Sequence, residues 1–253
     1  AKLSDIIKID YKFVNLNING ESSGLYVMEE GFNKDLLEKN GRRNGPIFSL
    51  NETYGTDQRD PIFEVYNEKI WLGKENIETY KKARHNLENF FKGKIEAEEI
   101  FDLDKWASFF AVTDLTHTYH GLYAKSVKFY FNPVSNLFEP IPFDGHRKKP
   151  NYSKFSIHYD NRILLDILTQ PKSHTIEYEF FFLWIKNFFF TSDNILKNKF
   201  YSLYLNELKK ISDHEYLNNF FEKNEKKINF INSKIYGDFF LYDNVFYYGP
   251  GIY

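Results

Sequence analysis

Cysteine is absent from all 253 residues. Its absence excludes disulfides, thiolate nucleophiles and cysteine-based zinc or iron–sulfur sites, and leaves oxygen and imidazole as the metal ligands on offer. It leaves the compartment open, because an oxidising environment permits disulfides without requiring them. A charge imbalance is missing too. Lys and Arg number 33 against 35 Asp and Glu, a formal charge of −2, so no global basic field exists to gather nucleic acid. Long apolar runs are also lacking. The best stretch, Phe180 to Phe190, contains Lys186 and Asn187 and falls short of the ~18 residues of a membrane span. The first residues, Ala-Lys-Leu-Ser-Asp-Ile-Ile-Lys, show no apolar core followed by a small-residue cleavage site, and the start at Ala1 reads as a trimmed end. Without internal repeats, low-complexity tracts or Gly/Ser linkers, the chain does not divide into independent domains. What is abundant is Phe (27) and Tyr (19). Alongside the richness in Asn, Lys and Ile, this reads as the residue usage of an AT-rich genome rather than a binding surface.

The order of elements follows from the patterning. Tyr11 to Ile18 is β-rich, Asn19-Gly20 is a turn dipeptide, and Gly24 to Glu29 returns, which predicts a hairpin. A short helix follows between Asn33, a good N-cap, and Gly41, a good stop. Pro46 to Leu50 predicts a strand. Residues 51–73 mix charges and turn formers and are expected to be irregular. Helical spacing returns over 74–92, and a more apolar helix is expected from Asp104 to about His120. Val127 to Phe131 and Leu137 to Ile141 predict a second hairpin, ending at Phe143-Asp144-Gly145. Beyond Arg162 the segments 162–168, 176–190, 193–211, 213–223 and 224–236 all carry helical periodicity. A β-rich beginning before a helical remainder predicts an α+β fold, divided into residues 1–73 and a mainly helical part, 74–253.

Candidate chemistry is sparse. Asp144 lies just past a strand beside a Gly, where a carboxylate can face a divalent cation, although Asp-Gly is equally an ordinary turn dipeptide. Asp114, His117 and His120 are spaced by three, which on one helix face would present a carboxylate and two imidazoles, a set that suits zinc or manganese. The bland alternative is helix capping or a satisfied buried polar group. Adding Asp144 and His146 gives a set suited to metal-assisted hydrolysis. The loop Gly41-Arg-Arg-Asn-Gly45 reads either as an anion site or as a solvated turn. No Gly-x-Gly-x-x-Gly, Walker A or His-x-x-x-His sequence occurs.

The string Phe13-Val-Asn-Leu-Asn-Ile-Asn-Gly-Glu-Ser-Ser-Gly-Leu-Tyr-Val-Met-Glu-Glu30, with Lys34-Asp-Leu-Leu-Glu and Tyr130…Phe138-Glu-Pro-Ile-Pro-Phe-Asp144, resembles the spore-coat protein H (CotH) family. The resemblance implies an atypical protein-kinase-like architecture, with a β-rich nucleotide lobe, here either truncated or remodelled, leading through a hinge to a helical lobe. It implies an extracellular or cell-envelope location and a phosphotransferase that uses ATP with Mg²⁺ or Mn²⁺ to phosphorylate a protein acceptor. Asp144 matches the metal-holding Asp, here after Pro-Phe instead of Pro-Trp. Met28 and Glu29 would border the adenine, with Glu30 leading into the next helix. Where the family carries a catalytic Asp and, some residues on, a metal-binding Asn, this chain has His120 and Ser126, which makes Asp114 a substitute candidate for the proton acceptor. A phosphate-gripping lysine is expected upstream of the hairpin, and Lys2, Lys8 and Lys12 stand too close to it. These departures define the alternative, a pseudokinase-like binding or coat-assembly module.

Overall fold

A computed structural model describes residues 5–51, 61–116, 118–123, 126–145, 184–191, 193 and 195–239, with side chains up to residue 234. Helices and strands are mixed as expected of an α+β chain. The first hairpin joins β1 (Tyr11–Ile18) to β2 (Glu21–Glu29). Asn19 and Gly20 close it with φ of 53° and 89°, the left-handed pair that matches the twist of a two-residue hairpin loop. Helix α1 (Lys34–Lys39) starts where the Asn33 side chain accepts a hydrogen bond from the Leu36 amide.

A second sheet holds four antiparallel strands in the order β4 (Phe63–Val65), β3 (Ile47–Leu50), β5 (Lys128–Asn132), β6 (Leu137–Ile141). Strands from the first 73 residues therefore pair directly with the later hairpin, Ile47 opposite Tyr130 and Phe48 opposite Phe129. Pro140 is tolerated in β6 because that strand is an edge. At Gly45 a Cβ would lie 2.2 Å from the Phe131 carbonyl oxygen, so only glycine lets the chain enter β3 this close to β5.

Alternation sends the two faces of the sheet into different cores. Phe129, Phe131 and Phe138 join the larger cluster, with Trp106, Phe110, Trp184 and Phe188. Tyr130, Ile47 and Ile141 join Ile7, Leu36 and Leu37 in a smaller one beneath α1. Helix α3 (Ile77–Phe91) buries Tyr80, Ala83, Leu87 and Phe90 at three- and four-residue spacing. After the one-turn helix α4 (Ala97–Ile100), α5 (Leu103–Thr116) is buried on nearly every side and forms the centre of the large core. It packs mainly on α6 (Asn198–Ile211), which is followed by α7 (His214–Phe239).

Four expectations are corrected. The 51–73 stretch, read as irregular, contains β4 and the short helix α2 (Glu68–Trp71), both nucleated by buried apolar residues, Phe63 and Trp71. The helix expected to reach His120 stops at Thr116, because the Thr118 amide reaches back to the Thr113 carbonyl and the Thr116 hydroxyl bonds the Val112 carbonyl. Asp114 and His120 therefore do not share a helix face. The last helix runs unbroken through residues 223 and 224, since nothing there interrupts its periodicity, whereas residues 195–197 precede α6 rather than extending it. The expected 162–168 helix lies outside the described residues.

Candidate functional site

Three polar side chains meet where the second hairpin ends. His120 sits on a 3-10 turn, Tyr119–Leu122, that follows α5. Ser126 lies just before β5 and Asp144 three residues after β6, so the hairpin brings the two flanks together although 18 residues separate them. The His120 Nδ1 atom is 3.0 Å from Asp144 Oδ2 and 3.1 Å from the Asp144 carbonyl oxygen. Ser126 Oγ donates to the same Asp144 Oδ2 at 3.2 Å. Ser126 is buried and His120 largely so, whereas the Asp144 side chain keeps 37% of its exposure and faces a cleft. Asp144 has φ of 53°, a left-handed conformation that Asp and Asn adopt more readily than most residues. Gly121 fits the turn against this segment: a Cβ there would lie 3.0 Å from the Phe143 carbonyl oxygen and 3.2 Å from the Gly145 Cα.

The cleft has a volume of about 370 Å³ and a mainly apolar lining from Ile6, Ile7, Phe109, Val112 and Phe143, with Tyr11 and Asp144 as polar contributors. Tyr11 is exposed as a whole, yet partial burial of its hydroxyl is the largest influence there, and the hydrogen bond with Glu29 and the Asp144 charge add to it, together pushing its pKa up to about 12. Beneath the sheet end, the buried Lys128 ammonium lies 5.0 Å from the centre of the Phe143 ring and 5.7 Å from that of Phe32.

The remaining expected site residues lie elsewhere. Asp114 is buried, with Oδ1 accepting from Tyr119 Oη at 2.6 Å and Oδ2 from the Tyr204 hydroxyl. It does not line the cleft. Met28 and Glu29 are exposed on β2 outside the cleft lining, and Glu30 accepts from the Asp10 amide and pairs with Lys39. His117 and His146 lie outside the described residues. Among the described residues no group of three or more His, Asp or Glu is gathered to hold a metal ion. Arg42 of the expected anion loop instead enters a buried network, donating through Nε to Glu139 at 2.9 Å and pairing with Asp5 at 3.0 Å. Sequence reasoning missed Tyr11, Tyr119 and Tyr204. Tyr119 carried a signal, an aromatic hydroxyl five residues after an aspartate, whereas Tyr204 is 90 residues away and carried none.

The family model described as CotH kinase protein matches residues 6–245, nearly the whole chain. The chain belongs to the CotH kinase family. No curated protein matches it. Membership makes the protein kinase-like. No helix among the described residues is long and apolar enough to cross a membrane.

Proposed function

We propose that this CotH family member is a phosphotransferase that moves the γ-phosphoryl group of ATP to a hydroxyl of a protein acceptor, outside the cell or in its envelope. The observation that carries the reading is the convergence of His120 and Ser126 on the carboxylate of Asp144, the one of the three that lines the cleft. In the step itself the acceptor oxygen bonds to the γ-phosphorus, the bond from that phosphorus to the β,γ-bridging oxygen breaks, and ADP leaves. Nδ1 of His120 is held by Asp144, which assigns its proton there and makes Nε2 the basic nitrogen that takes the acceptor proton. The donor set suits a hard cation that arrives with the triphosphate, because Mg²⁺ in such sites needs only one or two protein carboxylates beside phosphate oxygens. Asp144 would hold it, with Ser126 Oγ beside. When bound, Mg²⁺ or Mn²⁺ would neutralise charge developing on the phosphoryl oxygens.

Transfer of labelled phosphate to casein-like acceptors, with titration calorimetry of ATP and Mg²⁺ or Mn²⁺, tests the proposal. His120→Ala should lower transfer by about 10²- to 10⁴-fold, the span of a lost general base. Asp144→Asn should abolish metal-dependent ATP binding. Binding untouched by Asp144→Asn, with no transfer by the parent protein, would overturn it. A second reading, the pseudokinase-like module, starts from the same contact. A protonated His120 at 3.0 Å would neutralise Asp144 internally and compete with a cation. ATP binding that needs no metal, without transfer, is its signature.

A further inference from the structure

We infer that Asp114 is a positioning residue, whose buried carboxylate holds Tyr119 and thereby fixes the turn that presents His120 to Asp144 and Ser126. The inference rests on the phosphotransferase reading for what His120 does, but the fixing of the turn stands on geometry alone. Asp114 occupies the last turn of α5, where a negative charge opposes the helix dipole, and it is buried, where a charge costs most. Neither the helix nor the core benefits from an anion there. What the anion does is accept two phenol hydroxyls, one from Tyr204 across the α5–α6 contact and one from Tyr119 at 2.6 Å.

Tyr119 precedes His120 in the 3-10 turn, and Gly121, which follows it, sits tightly on the Phe143–Gly145 segment. The far end of the turn is held by Trp184 Nε1 donating to the Leu122 carbonyl at 3.3 Å. The near end has the Thr118 amide on the Thr113 carbonyl at 3.1 Å. Between these anchors Asp114 and Tyr119 tie a buried side chain of α5 to the turn, alongside the contact of the Thr116 and Thr118 hydroxyls at 2.8 Å. Releasing it frees the turn to rotate about its ends and moves the imidazole, and a displacement of about 1 Å at a reacting group costs on the order of 10²-fold in rate.

The two phenols allow a direct test in the full chain. Tyr119→Phe cuts the tie to the turn, whereas Tyr204→Phe removes the other bond to the same carboxylate and leaves the turn attached. Amide hydrogen exchange at Gly121 and Tyr123, whose N–H groups close the turn, should speed up about tenfold or more in Tyr119→Phe and less than about twofold in Tyr204→Phe. In transfer assays kcat should fall in Tyr119→Phe with KM for ATP unmoved, and should hold in Tyr204→Phe. Equal effects of the two variants, or none, would overturn the inference and leave Asp114 as a helix-to-helix tie. If the parent shows no transfer, the phosphotransferase reading fails while the exchange comparison still decides the role of Asp114. Asp114→Asn, where it folds, should reproduce Tyr119→Phe.

Discussion

Asp144 shows how a residue's backbone and its charge must be separated before either is tested. Its left-handed φ means that Asp144→Ala combines loss of the carboxylate with about 1–2 kcal/mol of backbone strain, whereas Asp144→Asn removes the charge alone. Metal-dependent ATP binding should be lost in both, with Tm unchanged in Asp144→Asn and lowered in Asp144→Ala. Tyr11 is the second residue with a measurable signature. Its folded-state pKa of about 12 exceeds the 10.0 of a free phenol, so the stability its neutral hydroxyl contributes is complete below pH 10 and is lost as pH rises from about 10 to about 12. The phenolate absorbance missing from Tyr11→Phe, relative to the parent, should titrate in that window. A missing component that titrates at the ordinary value would rule out the contact with Glu29 and the cleft. At this scale the sequence exposed Asp144, because a lone carboxylate after a strand is visible, and placed His120 and Ser126 beside it by resemblance. It could not reveal the pairing of Asp114 with Tyr204, which depends on how α5 meets α6.

Elements were legible where periodicity and punctuation agreed. The first hairpin, α1 and the second hairpin are delimited by Asn19-Gly20, Asn33 and Asn132-Pro133, whose local preferences and tertiary roles coincide. The end of α5 was not, because Thr113, Asp114 and Thr116 satisfy backbone or partner groups locally and the apolar pattern continues past the last helical turn. Helix α5 itself offers a stability prediction. Ser108 Oγ is buried and has no hydrogen-bond partner among the described atoms, so Ser108→Ala should stabilise the protein by about 1 kcal/mol in denaturant unfolding. Trp106→Ala should do the reverse by about 3–5 kcal/mol, since the indole is fully buried and donates to the Phe138 carbonyl at 2.9 Å.

Across the whole molecule, one partly buried ionic network, centred on Glu139, ties the N-terminal segment, the loop after α1, helix α5 and the edge strand together. Glu139 accepts from Arg42 and, at 2.7 Å, from Asn132, while Lys105 pairs with Asp102 and approaches both Asp5 and Glu139. Glu139→Ala should cost about 3–5 kcal/mol, because it leaves the Arg42 guanidinium buried without its main partner. Burial alone would push the Asp5 carboxyl up, but Arg42 and Lys105 more than offset it and hold it below 3.8. The contribution of Asp5 is therefore present above pH 3.8 and fades as pH falls below that value, a loss that Asp5→Asn should remove from acid unfolding curves. The aromatic interior has an optical consequence. All three tryptophans, Trp71, Trp106 and Trp184, are shielded from solvent, and Trp184 also grips the carbonyl at the end of the His120 turn. Native emission should therefore be blue-shifted, and because one indole bonds the end of the His120 turn, intrinsic fluorescence offers a dye-free test of whether added nucleotide disturbs that turn.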